Sequence, residues 1–405
     1  MDRFIVVSSD CHAGLPPSKY REYLDPQYRE MFDMALPLEV AAREKVEKNF
    51  LIKEINEEWR RGNEDALTGA WDHSERIKML DKDGIAGEII FPDGITERNA
   101  PPFGVGLSPP VRGQYVPPSE LIWAGSRAHN RWLVELCQMD PARHHGVGVI
   151  PLLWDVEESV KEVEWLVKNG IRSVMIPTVT GQFDGYNNNK YDPFWAACQA
   201  NDVIINFHSG AAPMEDFFGH TWTDIDPRTV GGMGVFVCET FFWTYRPLVF
   251  MIWGGVFERF PKLKAVVTEV GTGWMLPPLL RLMDHNYFDV MFSAKLGDFK
   301  SHLSMSPTEY FRRNVGIGAS CIGRADVEIR NQLGLNQIMW GSDYPHPEGS
   351  WPHTHKQIYD AFVGIPEQEI ALMLGENAIK FYGFDREKLA KIAERIGPKK
   401  SDFVV

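Results

Sequence analysis

The sequence predicts a (β/α)8 barrel of the TIM type, with helical and loop insertions over its C-terminal mouth. Short apolar runs, typical of parallel strands covered on both faces, alternate with longer helical patterns along the 405-residue chain. Gly84 and Gly170 each follow a helical segment just before the next strand, as helix C-caps commonly do. Eight such alternations indicate a barrel, and a doubly wound parallel sheet is the competing fold.

The strand predictions rest on short apolar segments bounded by polar or turn-forming residues. In chain order, the eight segments are residues 4–9, 86–91, 146–151, 173–177, 203–207, 265–268, 315–319 and 337–340. Longer patterns with helix-forming residues separate them, and the clearest helices are predicted at residues 74–82, 126–139, 157–169, 193–200 and 247–260. Potential metal ligands follow several of these strands, which favours the barrel because barrels build their sites at strand C-terminal ends.

We expect a single barrel domain over residues 1–405 with three insertions. Residues 15–67 are rich in charge and helix formers, residues 93–118 are rich in proline and glycine, and residues 210–234 carry several aromatic side chains. Each insertion follows a predicted strand, so each should lie over the mouth as a lid or wall. Apolar loops there indicate a small-molecule substrate that is bulky and partly hydrophobic, and contact within a homodimer is the alternative use of the same aromatics.

The composition limits the kinds of binding partner and the cellular compartment that we expect for this protein. The net charge of -13 argues against nucleic acid, which needs a basic face. Five scattered cysteines without a CxxC pair indicate reduced thiols in the cytoplasm, and no signal peptide is expected before the first strand. The most apolar stretch, residues 233–257, contains Glu239 and Arg246, so we expect a buried or partly buried helix and no membrane contact. Glu239 is the expected partner of Arg246, and an anionic substrate group is the alternative.

Five side chains at strand ends form the candidate site. Asp10 and His12 stand at i and i+2, so on a strand they share one face. His208, Glu269 and Asp343 each follow a later strand, and a barrel gathers such ends at one rim. Without a cation, buried ionisable groups at these positions would each cost several kcal/mol unless paired. We therefore predict one or two divalent ions, zinc, iron(II) or manganese(II), since mixed histidine and carboxylate ligands suit all three.

The remaining polar candidates are weaker. His346, three residues beyond Asp343, is predicted to contact substrate or to support the site, with a turn hydrogen bond as the alternative. His220, in the third insertion, is a candidate substrate contact, although a surface role is the simpler reading. His353 and His355 lie in a proline-rich loop past the strand end, so they are not predicted as ligands. Cys11 should point away from the Asp10 and His12 face.

Several longer motifs extend this pattern through the chain. They include Asn130-Arg131-Trp132, Asp192-Pro193-Phe194-Trp195, Phe207-His208-Ser209-Gly210, Gly341-Ser342-Asp343-Tyr344-Pro345-His346 and Gly375-Glu376-Asn377-Ala378. With these motifs the chain resembles the amidohydrolase superfamily nearly end to end. It is most similar to the amidohydrolase-2 branch, which contains aminocarboxymuconate-semialdehyde decarboxylase, resorcylate-type decarboxylases, and related hydrolases and hydratases.

The resemblance implies that Asp10, His12, His208 and Asp343 bind the metal, and that Asp343 also handles a proton. Two positions depart from the family pattern. Asp10 stands where many relatives carry histidine or glutamate, and Glu269 stands where the decarboxylase named above carries a catalytic histidine. A carboxylate at position 269 could bind a second metal or act as a general base, and we favour a base or outer ligand acting on water.

These features leave three functions open. The leading prediction is a metal-dependent hydrolase that attacks an amide, ester, lactone or thioester, including thioesters of bulky acids. The alternative is a non-oxidative decarboxylase of an aromatic or unsaturated carboxylic acid, which the replacement of the usual histidine by Glu269 makes less favoured. A metal-binding barrel without catalysis is the third, and the intact ligand set argues against it.

Overall fold

Parallel strands and helices alternate along the chain of the computed structural model, which describes residues 2–50, 53–92, 99–107, 116–219 and 231–404. Within these residues the strands are β1 Val7–Ala13, β2 Gly87–Pro92, β3 His144–Gly146, β4 Gly148–Val149, β5 Ser173–Met175, β6 Ile204–His208, β7 Lys264–Thr268, β8 Val315–Ser320 and β9 Ile338–Gly341.

The α-helices of the described residues fill the connections between strands. They are α1 Arg29–Phe50, α2 Lys53–Gly62, α3 Glu64–Thr68, α4 His73–Asp83, α5 Ser119–Met139, α6 Val156–Lys168, α7 Asp192–Ala200, α8 Met214–Phe218, α9 Gly232–Trp253, α10 Val256–Arg259, α11 Thr272–Phe288, α12 Val290–Leu296, α13 Pro307–Asn314, α14 Arg324–Glu328, α15 Arg330–Leu333, α16 Thr354–Phe362, α17 Glu367–Ala371, α18 Asn377–Tyr382 and α19 Arg386–Ile396. Helices α1 to α3 lie in the first predicted insertion. That residues 1–405 form one domain with three insertions stays a prediction.

The strands close into a barrel, as predicted. Strands β1, β2 and β3 pair in parallel in that order, and β4 to β9 do the same. The Val147 amide, between β3 and β4, donates to the Ile90 carbonyl of β2 at 2.9 Å and joins the two sheets. On the other side, the Asp343 amide beyond β9 donates to the Asp10 carbonyl of β1 at 2.8 Å. All strand C-terminal ends therefore meet at one rim.

Two strands differ from the prediction. The third predicted strand is divided into β3 and β4 at Val147, where the chain passes from one sheet to the other. Strand β1 begins at Val7 and continues to Ala13, so Asp10 lies within the strand. Its register with β2 shifts between Ser8 and Cys11. Bulges of this kind re-aim side chains and are common beside active sites, and apolar periodicity does not reveal them.

The barrel interior is packed below the rim. A buried apolar cluster from several strands fills it, and α18 and α19 cover its lower end; members include Val7, Phe91, Val147, Ile204, Val266, Met339, Tyr382 and Leu389. Burying each aliphatic side chain of this kind stabilises the fold by about 1.5–3 kcal/mol. This packed interior therefore forms a rigid base beneath the rim.

Helix ends also follow local sequence rules. Helix α4 begins after Asp72, whose carboxylate accepts a hydrogen bond from the Glu75 amide. It ends at Gly84, which has a left-handed backbone with φ of 76° and confirms the predicted C-cap. A side chain at position 84 would meet the His355 ring at 3.0 Å. His355 thus packs at the end of α4, with Nε2 3.2 Å from the Lys82 carbonyl.

Helix α9 corresponds to the apolar stretch predicted as a buried or partly buried helix. It is the one helix of the described residues whose length and composition would allow a membrane span, which is weak support for one. Within those residues no ion pair joins Arg246 to Glu239, so the expected pairing is wrong. Two helical turns, about 10 Å, separate the two positions. Arg246 lies instead over the rings of Trp243 and Phe250, at 5.0 and 5.4 Å.

Candidate metal centre

The five predicted side chains come together at the barrel rim, and we call them the rim cluster. Asp10 and His12 belong to β1, and His208 is the last residue of β6. Glu269 directly follows β7, and Asp343 lies two residues beyond β9. The barrel thus places residues from four distant parts of the sequence around one point.

The distances within the rim cluster are short. Nε2 of His208 lies 3.2 Å from Oδ1 of Asp10, and Nε2 of His12 lies 3.5 Å from the same oxygen. Nε2 of His12 is also 3.4 Å from Oδ1 of Asp343, and Nδ1 of His208 is 3.6 Å from Oε2 of Glu269. Candidate ligand atoms of Asp10, His12 and His208 all lie within 4.8 Å of one another. A single cation can be reached by Asp10, His12 and His208 together.

Backbone carbonyls fix the orientation of the two histidines. Nδ1 of His12 lies 3.0 Å from the Pro92 carbonyl, and Nδ1 of His208 lies 3.2 Å from the Ser209 carbonyl. A carbonyl only accepts hydrogen bonds, so Nδ1 carries the proton in each neutral ring. Each Nε2 then presents a lone pair to the rim cluster. This tautomer, held by a carbonyl, is typical of metal-binding histidines.

Two atoms of the rim cluster lack a partner that a cation would supply. His12 is 3% exposed and Asp343 is 2% exposed. Within the described part of the chain, neither Nε2 of His12 nor Oδ1 of Asp343 makes a hydrogen bond of acceptable geometry, although Oδ1 lies 2.9 Å from Nδ1 of His346. Burying such atoms unsatisfied is costly, whereas a divalent ion would coordinate both. The donor set, two imidazoles with carboxylates, suits zinc, iron(II) or manganese(II), so the residues present fit a divalent metal cofactor.

Backbone strain marks the same rim. Glu269 and Asp343 have φ values of 58° and 56°, in the left-handed region that favours glycine. Such conformations cost about 1–3 kcal/mol each and persist at functional sites, where surrounding structure imposes them. Both residues stand where a strand gives way to a mouth loop.

The charges of the rim cluster are strongly coupled. Burial alone would raise the pKa of Asp10, but His208 and His12 outweigh burial and hold that pKa well below its usual range. Burial and His346 lower the pKa of His12, yet the neighbouring carboxylates of Asp10 and Asp343 outweigh both and raise that pKa to about 9. Burial, followed by the charge of Asp343, raises the pKa of Glu269 to about 7. Glu269 therefore retains a proton at a higher pH than an ordinary glutamate.

His346 lies within the site, behind the ligand candidates. It is fully buried, and its ring stacks on the His12 ring with centroids 3.9 Å apart. Its Nδ1 is 2.9 Å from Oδ1 of Asp343. This position suits support of Asp343 better than the expected contact with substrate. His220, the other predicted substrate contact, lies outside the described residues.

Sequence reasoning missed three contacts at the rim. Ligand atoms of Glu269, Asp343 and Glu348 lie within 4.8 Å of one another, and Glu348 is exposed. The hydroxyl of Ser209 donates to Glu269, and that of Ser320 donates to Asp10. Ser209 could have been noticed because it follows His208, and Ser320 because it ends a strand.

Cys11 points away from the rim cluster, as predicted. It is fully buried in an apolar cluster with Tyr344, Trp351 and Met79 on the outside of the barrel. Burial and the nearby Glu88 raise the pKa of its thiol well above the usual value. Cys11 is therefore a packing residue.

Comparison with known proteins identifies the family to which the chain belongs. The model of a family described as amidohydrolase matches residues 96–384. The chain therefore belongs to the amidohydrolase family, in the amidohydrolase-2 branch that the motifs predict. It is an enzyme of that family, with a barrel fold and a site for a divalent metal ion.

Individual relatives are distant. The 2-amino-3-carboxymuconate-6-semialdehyde decarboxylase of Dictyostelium discoideum is 21% identical over 79% of each chain. The crystal structure of an amidohydrolase from Mycobacterium avium subsp. paratuberculosis aligns with a TM-score of 0.67 and 19% identity, covering 94% of this chain and 99% of that one. A 5-carboxyvanillate decarboxylase of Novosphingobium aromaticivorans, solved with manganese and a nitrobenzoic acid, aligns with a TM-score of 0.65 and 18% identity, covering 94% and 97%. These similarities establish the fold.

Proposed function

We propose that the protein is a metal-dependent, non-oxidative decarboxylase of an aromatic or unsaturated carboxylic acid. The observation that carries the proposal is the convergence of Asp10, His12, His208 and Asp343 on one point, with buried donor atoms left for a cation. The decarboxylases among its relatives support this reaction over the hydrolysis expected first.

Those four residues would hold the cation, with His346 supporting Asp343. Manganese is the first metal to test because the Novosphingobium decarboxylase was solved with it. When bound, the cation supplies a Lewis acid that attracts the substrate carboxylate and an adjacent oxygen. Without its charge, Asp10 and Asp343 would repel a carboxylate substrate.

Glu269 would deliver the proton that this reaction needs. In decarboxylation the bond between carbon and carboxylate breaks, carbon dioxide leaves, and the same carbon takes up one proton. In the metal-free site, burial and the charge of Asp343 raise the pKa of this carboxyl group to about 7, which favours its protonated form. The Ser209 hydroxyl donates to its Oε2, which keeps the carboxyl group oriented at the rim. In this reaction Glu269 serves as a general acid, whereas sequence reasoning favoured a base.

Apolar residues soon after β6, the strand that ends in His208, form a cluster that we propose as one wall of the substrate pocket. Phe217 and Phe218 are buried, and Phe236 packs edge-on against Phe217 with centroids 5.6 Å apart. An apolar wall excludes water from a reacting centre and packs against a flat apolar ring. This wall supports an aromatic acid as the substrate class.

One assay separates the two reactions. The manganese-loaded enzyme is incubated in deuterium oxide with hydroxylated aromatic acids and with matched esters and thioesters. We expect carbon dioxide release and one deuterium at the carbon that lost it, and no turnover by Asp343→Asn. Acid release from the esters or thioesters, without carbon dioxide from any acid, would instead establish a hydrolase.

We also propose that the protein acts in the cytoplasm as a homodimer, on a small molecule and without nucleic-acid or membrane partners. The acidic composition supports the second part of this proposal. Light scattering after gel filtration tests the dimer, and an observed monomer would contradict it.

A further inference from the structure

Arg76 of α4 reaches the backbone of a ligand candidate from behind the barrel wall. The guanidinium is fully buried, and its Nη1 donates to the His12 carbonyl at 2.9 Å. Its Nε and Nη2 donate to the two carboxylate oxygens of Glu88 on β2, at 2.6 and 2.8 Å. One side chain therefore ties a helix, a neighbouring strand and the end of β1 together.

The same guanidinium contacts the segment that carries Asp343. Its Cζ lies 5.3 Å from the centre of the Tyr344 ring, a cation–π contact. Tyr344 directly follows Asp343, and its carbonyl accepts a hydrogen bond from the His12 amide at 2.6 Å. Arg76 thus touches both of the strand ends that supply His12 and Asp343.

A stability role alone explains this arrangement poorly. Removing two charges from water costs several kcal/mol, and apolar residues of similar volume often stabilise a core equally well. Here Glu88 is itself oriented, because Nδ1 of His144 lies 2.9 Å from its carboxylate. The contacts that Arg76 makes with Glu88, His12 and Tyr344 instead hold these groups in fixed orientations behind the rim cluster.

We propose that Arg76 is a positioning residue that sets the spacing between His12 and Asp343 for the cation. The inference rests on the metal site of the proposed function. Outer contacts of this kind typically change metal affinity by about 10- to 100-fold when they are removed. Glu88 acts in the same way, by holding the guanidinium in one orientation.

Arg143 offers a matched control. It is also buried, and its Nη1 bonds Asp81 at 2.7 Å. Its Nε and Nη2 donate to the carbonyls of Ala86 and Ile85, at 3.1 and 2.7 Å. These contacts resemble those of Arg76, but within the described residues none of them reaches His12 or the Tyr344 ring.

The test compares R76K, E88Q and R143K with the wild type by titrating manganese(II) into the metal-free protein. Electron paramagnetic resonance measures free manganese directly, and thermal unfolding measures stability. We expect R76K and E88Q to weaken manganese binding by about 10-fold or more. R143K should lower the melting temperature while keeping manganese affinity within about twofold of the wild type.

Unchanged affinity in both R76K and E88Q would overturn the proposal, and so would an equal loss in R143K. If R76K does not fold, the affinity of E88Q decides, because the amide keeps the shape of the carboxylate. The experiment measures manganese binding, so its result does not depend on which reaction the enzyme catalyses. If the wild type binds manganese but releases no carbon dioxide, the proposed decarboxylase activity is wrong. The manganese affinities of the three variants still decide whether Arg76 is a positioning residue.

Discussion

Nε2 of His12 and Oδ1 of Asp343 lie 3.4 Å apart, although the two residues belong to the first and last strand ends of the barrel. Both atoms are buried, and within the described residues neither makes a hydrogen bond of acceptable geometry. Closure of the barrel through the Asp343 amide and the Asp10 carbonyl brings them together. The fold therefore holds this nitrogen and this oxygen at a spacing at which one cation can contact both.

Metal binding should release protons. The neighbouring carboxylates of Asp10 and Asp343 outweigh burial and His346 and raise the pKa of His12 to about 9, so the metal-free imidazole is charged at pH 7.5. A metal ligand must be the neutral ring, so binding should release about one proton or more per ion. Isothermal titration calorimetry of manganese binding in buffers of different ionisation enthalpy measures this number.

The His12→Gln variant is the control for that experiment, since glutamine does not titrate. We expect weaker binding and fewer released protons in this variant. Binding enthalpies of the wild type that do not depend on the buffer would contradict a charged His12.

Glu269→Gln should separate chemistry from metal binding. The amide keeps the size of the side chain and can still bond Ser209, but it has no carboxyl proton to deliver. We expect turnover to fall by about 100-fold or more, with most of the metal retained. Metal content by elemental analysis and carbon dioxide release give the two numbers. An equal loss of metal and turnover would make Glu269 a ligand.

Glu348→Gln should change which acids the enzyme accepts. The exposed Glu348 carboxylate lies near Glu269 and Asp343, so it adds negative charge at the mouth. Removing it should lower KM for acids with a second carboxylate by about fivefold, and should leave KM for monocarboxylates nearly unchanged. Equal changes in KM for paired mono- and dicarboxylate substrates would contradict this electrostatic role.

Asp83 should make the fold less stable as pH rises. Its side chain is buried, and burial raises its pKa to about 7 despite the hydrogen bond donated by Thr354 at 2.6 Å. The folded state then holds this proton more tightly than the unfolded chain. Its contribution to stability is present below about pH 4 and is lost as pH rises to about 7.

Asp83→Asn removes that titration. Relative to the wild type, its free energy of unfolding should rise between pH 4 and pH 8 by as much as about 4 kcal/mol. Urea unfolding at several pH values measures the difference. A constant difference across this range would show that Asp83 titrates normally in the fold.

Much of the rim cluster was predictable because parallel barrels gather strand ends at one rim. Strand periodicity located the ends near Asp10, His208 and Glu269, and topology supplied the proximity. Glu348 was not predictable, because its position depends on the loop after β9. That loop is shaped by the left-handed backbone of Asp343 and by a hydrogen bond from the Gly349 amide to the His346 carbonyl at 3.0 Å.

Other details depended on packing rather than on pattern. The register shift in β1 and the division of the third strand at Val147 arise from pairing with neighbouring strands, which a single strand's periodicity does not contain. The choice between hydrolysis and decarboxylation was also open, because the same ligands serve both reactions. The burial that raises the pKa of Glu269 became visible only in the fold.

The most direct test is an anomalous difference map from crystals of the manganese-loaded protein. We predict one strong peak within about 2.5 Å of Nε2 of His12, Nε2 of His208 and carboxylate oxygens of Asp10 and Asp343. A map with no peak among these four side chains, at full manganese loading, would contradict it.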